Sequence, residues 1–147
     1  MMRDDRWCEG HYQFAIKHVG KAFMLCLEVH EVMSCNPNTN FNTIMIHPEF
    51  PWDVRYLCAN PNITFDQMNS YFKMSPVIGS YNMSMNPNIT PDIVKSNPRF
   101  PWVKTGLCGN PNFTWNDCKD FIGSLRNTYN ISRNPNITID IVQRNKH

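Results

Sequence analysis

Apolar residues come in short bursts along this chain, and each burst is soon closed by asparagine or proline. The stretches after Thr64, Thr90, Thr114 and Thr138 carry apolar side chains at helical spacing, with Asp or Asn two places on at Asp66, Asp92, Asn116 and Asp140. A threonine so placed offers its hydroxyl to a free backbone N–H while the acid sits in the positive first turn, so each is predicted to be a helix N-cap. Pro91, directly after Thr90, suits the first helical position, where a missing N–H costs nothing. Each helix should end near the next Asn-Pro or His-Pro, because the residue before proline is pushed out of the α region. A second short helix is predicted from around Trp52 or Trp102 to Ala59 or Gly109, with Leu57 or Leu107 inward.

Helices of two or three turns fall below the roughly 12 residues at which an isolated helix becomes even marginal in water, so stability must come from stacking. Ile63, Phe65 and Met68 should form one layer, and Ile89, Ile93 and Val94 another, with Trp52, Trp102 and Trp115 supplying the largest buried areas.

Stacking is what a repeat would provide, and one is present. Asn-Pro-Asn recurs at Asn36, Asn60, Asn86, Asn110 and Asn134, with spacings of 24, 26, 24 and 24. Four copies continue as Asn-[Ile/Phe]-Thr, and the first keeps a degenerate Thr39-Asn40. A longer beat lies over the short one: His47-Pro48-Glu49-Phe50-Pro51-Trp52 matches Asn97-Pro98-Arg99-Phe100-Pro101-Trp102, and Leu57-Cys58-Ala59-Asn60 matches Leu107-Cys108-Gly109-Asn110. Alternate repeats are thus more alike than neighbours. The expected fold class is all-α, an α-solenoid-like array of short helix pairs with 24 to 26 residues per repeat and a super-repeat of about 50. Residues 1–35 are expected to form an N-terminal capping segment, with Val32-Met33-Ser34-Cys35 at the tail position of a decayed repeat, and residues 36–147 the array, its last repeat incomplete.

The pattern Asn-Pro-Asn-Ile-Thr-x-Asp-Ile-Val-x-x-Asn-Pro-x-x-Pro-Trp, closed by Leu-[Cys/Ser]-x-Asn-Pro-Asn, resembles the Asn-Pro-Asn-Ile-Thr repeat proteins of giant DNA viruses that infect amoebae, the Mimivirus-like and Marseillevirus-like groups. The match spans roughly Asn36 to Asn145. The resemblance implies a viral origin and a short-helix array, and implies no activity. The chain stops half-way through a repeat at Asn145-Lys146-His147, where Asn-Pro-x-x-Pro-Trp is expected, as in a truncated or minimal family member.

Composition narrows the function classes. The 147 residues hold 14 Lys+Arg, 12 Asp+Glu and 6 Cys, with 41% apolar and only 18% charged residues, while 19 Asn and 11 Pro make turns frequent. The formal charge of +2 is spread along the chain and forms no basic stripe, so no nucleic-acid partner is expected. No apolar run reaches membrane-span length, and Met1-Met2-Arg3-Asp4-Asp5-Arg6 leads into no segment of signal-peptide form. The expectation is a soluble, non-exported protein with no membrane partner, acting in the host cytoplasm or in the virion.

Several residues invite chemical readings. Asn-x-[Ser/Thr] acceptor patterns at Asn62, Asn82, Asn88, Asn112, Asn130 and Asn136 follow mostly from the repeat, since an Asn before a capping Thr is what a turn entering a helix needs. Cys58 and Cys108 occupy a position filled by Ser84 and Ser132 in alternate repeats, which suits small buried residues and not ligands or catalysts. Cys118 is a candidate nucleophile on a predicted helix, with no histidine near it in sequence. Asp66, Asp92, Asp117 and Asp140 recur near helix starts, which explains them without acid–base work. Scattered cysteines in a chain of this length do not read as a disulfide framework. One constellation has metal-like spacing: Cys8-x2-His11 and Cys26-x3-His30, with His18 and Cys35 as spares, could hold tetrahedral zinc, although the apolar residues around Cys26 equally suit a capping segment. No glycine-rich phosphate loop, Gly-x-Ser-x-Gly or His-Glu-x-x-His occurs. The sequence therefore predicts a non-enzymatic protein-interaction or scaffolding module, with no catalytic, cofactor or metal residues assigned. Its specificity would sit where repeats differ, at Glu49, Arg99, Lys104, Lys119 and Arg126; the alternative is a zinc-bearing N-terminal module presented by the array.

Overall fold

The computed structural model describes residue 17 and residues 27–71, 78–122 and 129–145. Among them the regular structure is entirely helical, in ten short helices: α1 (Leu27–Cys35), α2 (Phe41–Ile46), α3 (Val54–Ala59), α4 (Phe65–Tyr71), α5 (Ser80–Met85), α6 (Pro91–Ser96), α7 (Lys104–Gly109), α8 (Trp115–Ile122), α9 (Tyr129–Arg133) and α10 (Ile139–Arg144). The chain forms two compact halves, residues 1–74 and 75–147, which divide in the interval where the Asn-Pro-Asn spacing lengthens to 26.

The local rules read from the sequence operate at three of the four predicted threonine caps. At the fourth, Thr114 instead donates its N–H and hydroxyl to the Asp117 carboxylate, and α5 and α7 begin without a side-chain cap. Thr90 and Thr138 cap α6 and α10 by accepting the N–H of Ile93 and Ile141. Thr64 forms a reciprocal box with Gln67, each side chain accepting the other's backbone N–H. In the degenerate first copy the cap keeps its place but changes residue: Asn40, at the position of Thr64 and Thr90, accepts the Thr43 N–H, and Thr39 takes the buried slot that Ile63, Ile89, Phe113 and Ile137 occupy elsewhere. At the other ends, Asn60, Asn86 and Asn110 stand before proline with ψ of 123°, 129° and 134°, outside the α region.

Each Asn-Pro-Asn is then a tight turn. The N–H of the fourth residue donates to the carbonyl of the first Asn, as from Ile63 to Asn60 at 3.1 Å and from Ile137 to Asn134 at 3.1 Å. Proline favours this turn at its second position. The first Asn also folds its own side chain over the turn, its Oδ1 accepting the N–H two places on at 2.8 to 2.9 Å in all five copies.

In the first half α1 packs on α3; in the second, α7 packs between α5 and α9. The approach to α5 is close. A Cβ on Gly106 would lie 2.9 Å from both the Ser84 Cβ and the Tyr81 carbonyl oxygen, so only glycine lets these helices meet at this distance. The deepest large side chains are Ile44, Leu57, Ile63 and Met68 in the first half and Met83 and Ile89 in the second.

The tryptophans differ from expectation, since Trp52, Trp102 and Trp115 are only half-buried. Trp52 and Trp102 sit at outer corners. Each indole N–H donates at 2.9 Å to the carbonyl five residues earlier, of His47 or Asn97, and each ring packs 4.4 to 4.5 Å from Phe100 or Phe50 across the intervening proline. They fix the bend into the next helix, and the aliphatic layers behind them form the core. Ile93 and Val94 are likewise half-buried.

Candidate functional site

The most elaborated chemistry in the described residues belongs to the first asparagine of each turn. Asn60, Asn110 and Asn134 are buried, and each side-chain amide reaches back one repeat to backbone carbonyls. Asn60 Nδ2 lies 3.0, 3.0 and 3.1 Å from the carbonyl oxygens of Ser34, Asn36 and Thr39. Asn134 Nδ2 lies 2.9, 3.0 and 2.9 Å from those of Cys108, Asn110 and Phe113. Asn110 repeats this with Ser84 at 3.0 Å and Asn86 at 2.7 Å. An amide carries only two N–H donors, so three carbonyls at this range share them. The Oδ1 of the same residue holds its own turn, and the whole side chain is thereby used. The second asparagine adds an outer rung: Asn62, Asn112 and Asn136 donate to the carbonyls of Pro37, Pro87 and Pro111. Three of the six glycosylation-type asparagines therefore have their amides engaged within the array.

A second device explains the longer beat. The hydroxyls of Ser34 and Ser84 accept the N–H of Asp53 and Val103, each 19 residues on and each at 2.9 Å. Asp53 and Val103 stand at the N-caps of α3 and α7, just after the Phe-Pro-Trp corner. A serine thus precedes each repeat that enters its helix through this corner. Cys58 and Cys108, which precede repeats without the corner, fill the same buried position with a sulfur that is a weak acceptor.

The candidate reactive groups lie inside this framework. Cys58, Cys108 and Cys118 are fully buried free thiols, whereas Cys35 is exposed. Burial pushes the Cys58 thiol up to about 12. Cys118 and Cys108 share a hydrogen bond, and that contact together with burial holds the Cys118 thiol above its ordinary value. A buried, protonated thiol is the opposite of an activated nucleophile. Asp117, beside Cys118, accepts the N–H and the hydroxyl of Thr114 at 2.8 and 2.6 Å, which holds its carboxyl below the usual range. It serves the start of α8.

A histidine–carboxylate pair that sequence reasoning did not single out brings His47 Nδ1 to 3.3 Å from Glu49 Oε1. The matching corner has Asn97 in place of His47, which marks the position as architectural. Of the zinc set, Cys8, His11, His18 and Cys26 lie outside the described residues. His30 packs edge-on to Phe50 at 5.5 Å, and no three His, Cys, Asp or Glu side chains among the described residues cluster as metal ligands.

What reaches solvent is different in kind. Glu49, Arg99, Lys104 and Lys119 are all exposed, and Arg126 lies outside the described residues. An open groove of about 520 Å³ runs between the start of α8 and the end of α10, walled by Trp115 and Ile141 and edged by Asn116, Asn136 and Arg144. Its lining carries no carboxylate, imidazole or thiol, so it offers contacts for binding and no proton-transfer group. No helix among the described residues is long and apolar enough to cross a membrane.

Comparison with protein-family models, with curated proteins and with solved structures gives no match.

Proposed function

We propose that this chain is a non-enzymatic repeat protein that acts as a protein-interaction or scaffolding module, its repeats running on as an α-solenoid-like array. One contrast carries the reading. The turn asparagines and the buried cysteines are committed to packing one repeat on the next, while Glu49, Arg99, Lys104 and Lys119, where repeats differ, face solvent. Arrays of this kind present equivalent positions along an extended face, and sequence differences among those positions select a partner. The resemblance to the Asn-Pro-Asn-Ile-Thr repeat proteins of amoeba-infecting giant viruses supplies the setting: a viral protein working in the infected host's cytoplasm or in the virion.

The test is affinity purification from infected cells with the parent chain and with a Glu49→Ala, Arg99→Ala, Lys104→Ala, Lys119→Ala variant. The expected result is a defined protein partner that the variant loses while keeping its melting temperature, because exposed charges contribute little to stability. Recovery of the same partner by both chains, or of none by either, would contradict the assignment of the face.

A further inference from the structure

The two copies of the longer beat differ at one buried pair. Position for position, Cys58 corresponds to Cys108 and Met68 to Cys118, and all four side chains are 0% exposed. In the second half both places hold a thiol, and the thiols meet. Cys108 lies in the last turn of α7 and Cys118 in α8, the two helices pack on one another, and the two sulfurs share a hydrogen bond. In the first half the partner place holds a thioether, which has no hydrogen to lose and forms no disulfide.

The backbone around the thiol pair is fixed. Phe113 donates its N–H to the Asn110 carbonyl at 3.1 Å, so the end of α7 and the start of α8 are held close. The carbonyls of Cys108, Asn110 and Phe113 share the Asn134 amide at 2.9 to 3.0 Å, which anchors the same turn from outside. Cys108 is also relieved of the task its position performs elsewhere. Ser34 and Ser84 each accept an N–H 19 residues on, after a Phe-Pro-Trp corner. No such corner follows Cys108, and its sulfur meets that of Cys118.

We propose that Cys108 and Cys118 are a redox modification site: a disulfide oxidant of the glutathione type joins them in one reversible intramolecular bond that staples α7 to α8 across the Asn110 turn. The exchange balances in two steps. On local opening of α8, one protein thiolate attacks glutathione disulfide, forming a mixed disulfide and releasing one glutathione thiolate. The second protein thiolate then attacks the protein sulfur of that adduct and expels the other glutathione. The two protein protons end on the two glutathione thiolates, and the two electrons the pair gives up reduce the oxidant. Burial decides the product. A glutathione adduct has no room at a fully buried position, whereas the internal bond joins two sulfurs already in contact, so the adduct resolves to the staple. At Cys58 the corresponding second thiol is replaced by Met68, and that step is blocked.

The test is equilibration of the full chain in glutathione buffers, quenched by alkylation and read by mass spectrometry of the tryptic peptide 105–119, which carries both cysteines and no other. The staple appears as this peptide lacking two hydrogens and taking no alkyl group. Its equilibrium constant of formation should be at least about tenfold larger in native buffer than in urea, because a bond that the fold favours must in turn favour the fold. The oxidised chain should accordingly unfold at a higher urea concentration than the reduced one, and dithiothreitol should reverse the difference. In Cys118→Ala, with its fold checked by circular dichroism, oxidation should leave the midpoint in place. The first measurement needs no variant. A constant no larger in native buffer than in urea, or a stabilisation by oxidation that persists in Cys118→Ala, would overturn the proposal.

Discussion

The side-chain amide of Asn134 lies 3.0 Å from the carbonyl oxygen of Asn110, the residue that holds the same place 24 positions earlier. This relationship turns a local motif into a fold. A turn asparagine that only shaped its own turn would leave helices of five to nine residues to stack by apolar contact alone. By closing their own turns with Oδ1 and reaching back with Nδ2, Asn60, Asn110 and Asn134 make one turn the register mark for the next within each half.

Gly106 marks where two backbones approach most closely. Replacing it with alanine should raise local helix propensity by about 1 kcal/mol, but it places a methyl 2.9 Å from the Tyr81 carbonyl, and overpacking of this kind costs roughly 1 to 3 kcal/mol. The expected outcome of Gly106→Ala is net destabilisation in urea denaturation, and an unchanged or higher midpoint would show that α5 and α7 are not held this tightly.

Because Trp102 is a corner residue and Leu57 a core one, their truncations should rank against residue size. Leu57 is fully buried, and Leu57→Ala should cost about 3 to 5 kcal/mol, whereas the half-buried Trp102→Ala should cost roughly 2 kcal/mol. Thermal melts of the two variants decide the order; a larger loss at Trp102 would restore the tryptophan to the core.

Much of this fold was legible in the sequence, and what was missed has a common cause. Caps, proline stops and the burial of the cysteine–serine position follow from rules that act within a few residues, and Thr90, Asn60 and Cys58 behave accordingly. The backward reach of Asn60, Asn110 and Asn134 acts across 21 to 26 residues, where no local rule applies. The signal was nonetheless present. A turn needs an Asn-like residue only for Oδ1, and aspartate would serve that role as well, yet all five copies keep asparagine. Strict retention of the amide points to a use for its donors. The tryptophans were misread because large apolar area was equated with core position, although an indole N–H also needs a partner and the corner carbonyls of His47 and Asn97 supply one. Of the candidate residues, the burial of Cys58 and Cys108 was legible from their alternation with serine, whereas that of Cys118, which lies outside the alternating position, was not.

Acid should weaken the chain through two helix-start carboxylates. The Arg55 guanidinium hydrogen bond holds Asp53 below its ordinary value of 3.8, and the Thr114 hydroxyl does the same for Asp117. A carboxyl whose pKa is lower folded than unfolded contributes its full stabilisation above the unfolded value and loses it as pH falls through the folded one. Melting temperature should therefore change little from about pH 7 to 5 through these groups and fall below about pH 4. Asp117→Asn and Asp53→Asn should each shallow that acid limb, and a limb of unchanged depth in both variants would assign it elsewhere.

Thiol accessibility gives an independent check on the packing. With Cys35 exposed and Cys58, Cys108 and Cys118 buried, alkylation followed by mass spectrometry should modify Cys35 at least about a hundredfold faster than the other three under native conditions. All four should react alike in denaturant. Native labelling of Cys118 ahead of Cys35 would reopen the nucleophile reading.

The account depends most on the amide of the turn asparagine, and equilibrium denaturation of Asn110→Asp measures that dependence directly. Aspartate keeps the shape and can still accept the Asn112 N–H, but it donates nothing and turns a negative oxygen toward the Ser84 and Asn86 carbonyls. The predicted result is a loss of roughly 3 to 5 kcal/mol, larger than the roughly 2 to 3 kcal/mol expected of Asn110→Ala and far larger than that of Asn112→Ala on the exposed outer rung. An Asn110→Asp chain that unfolds at the parent's denaturant concentration would contradict the claim that these amides hold the repeats together.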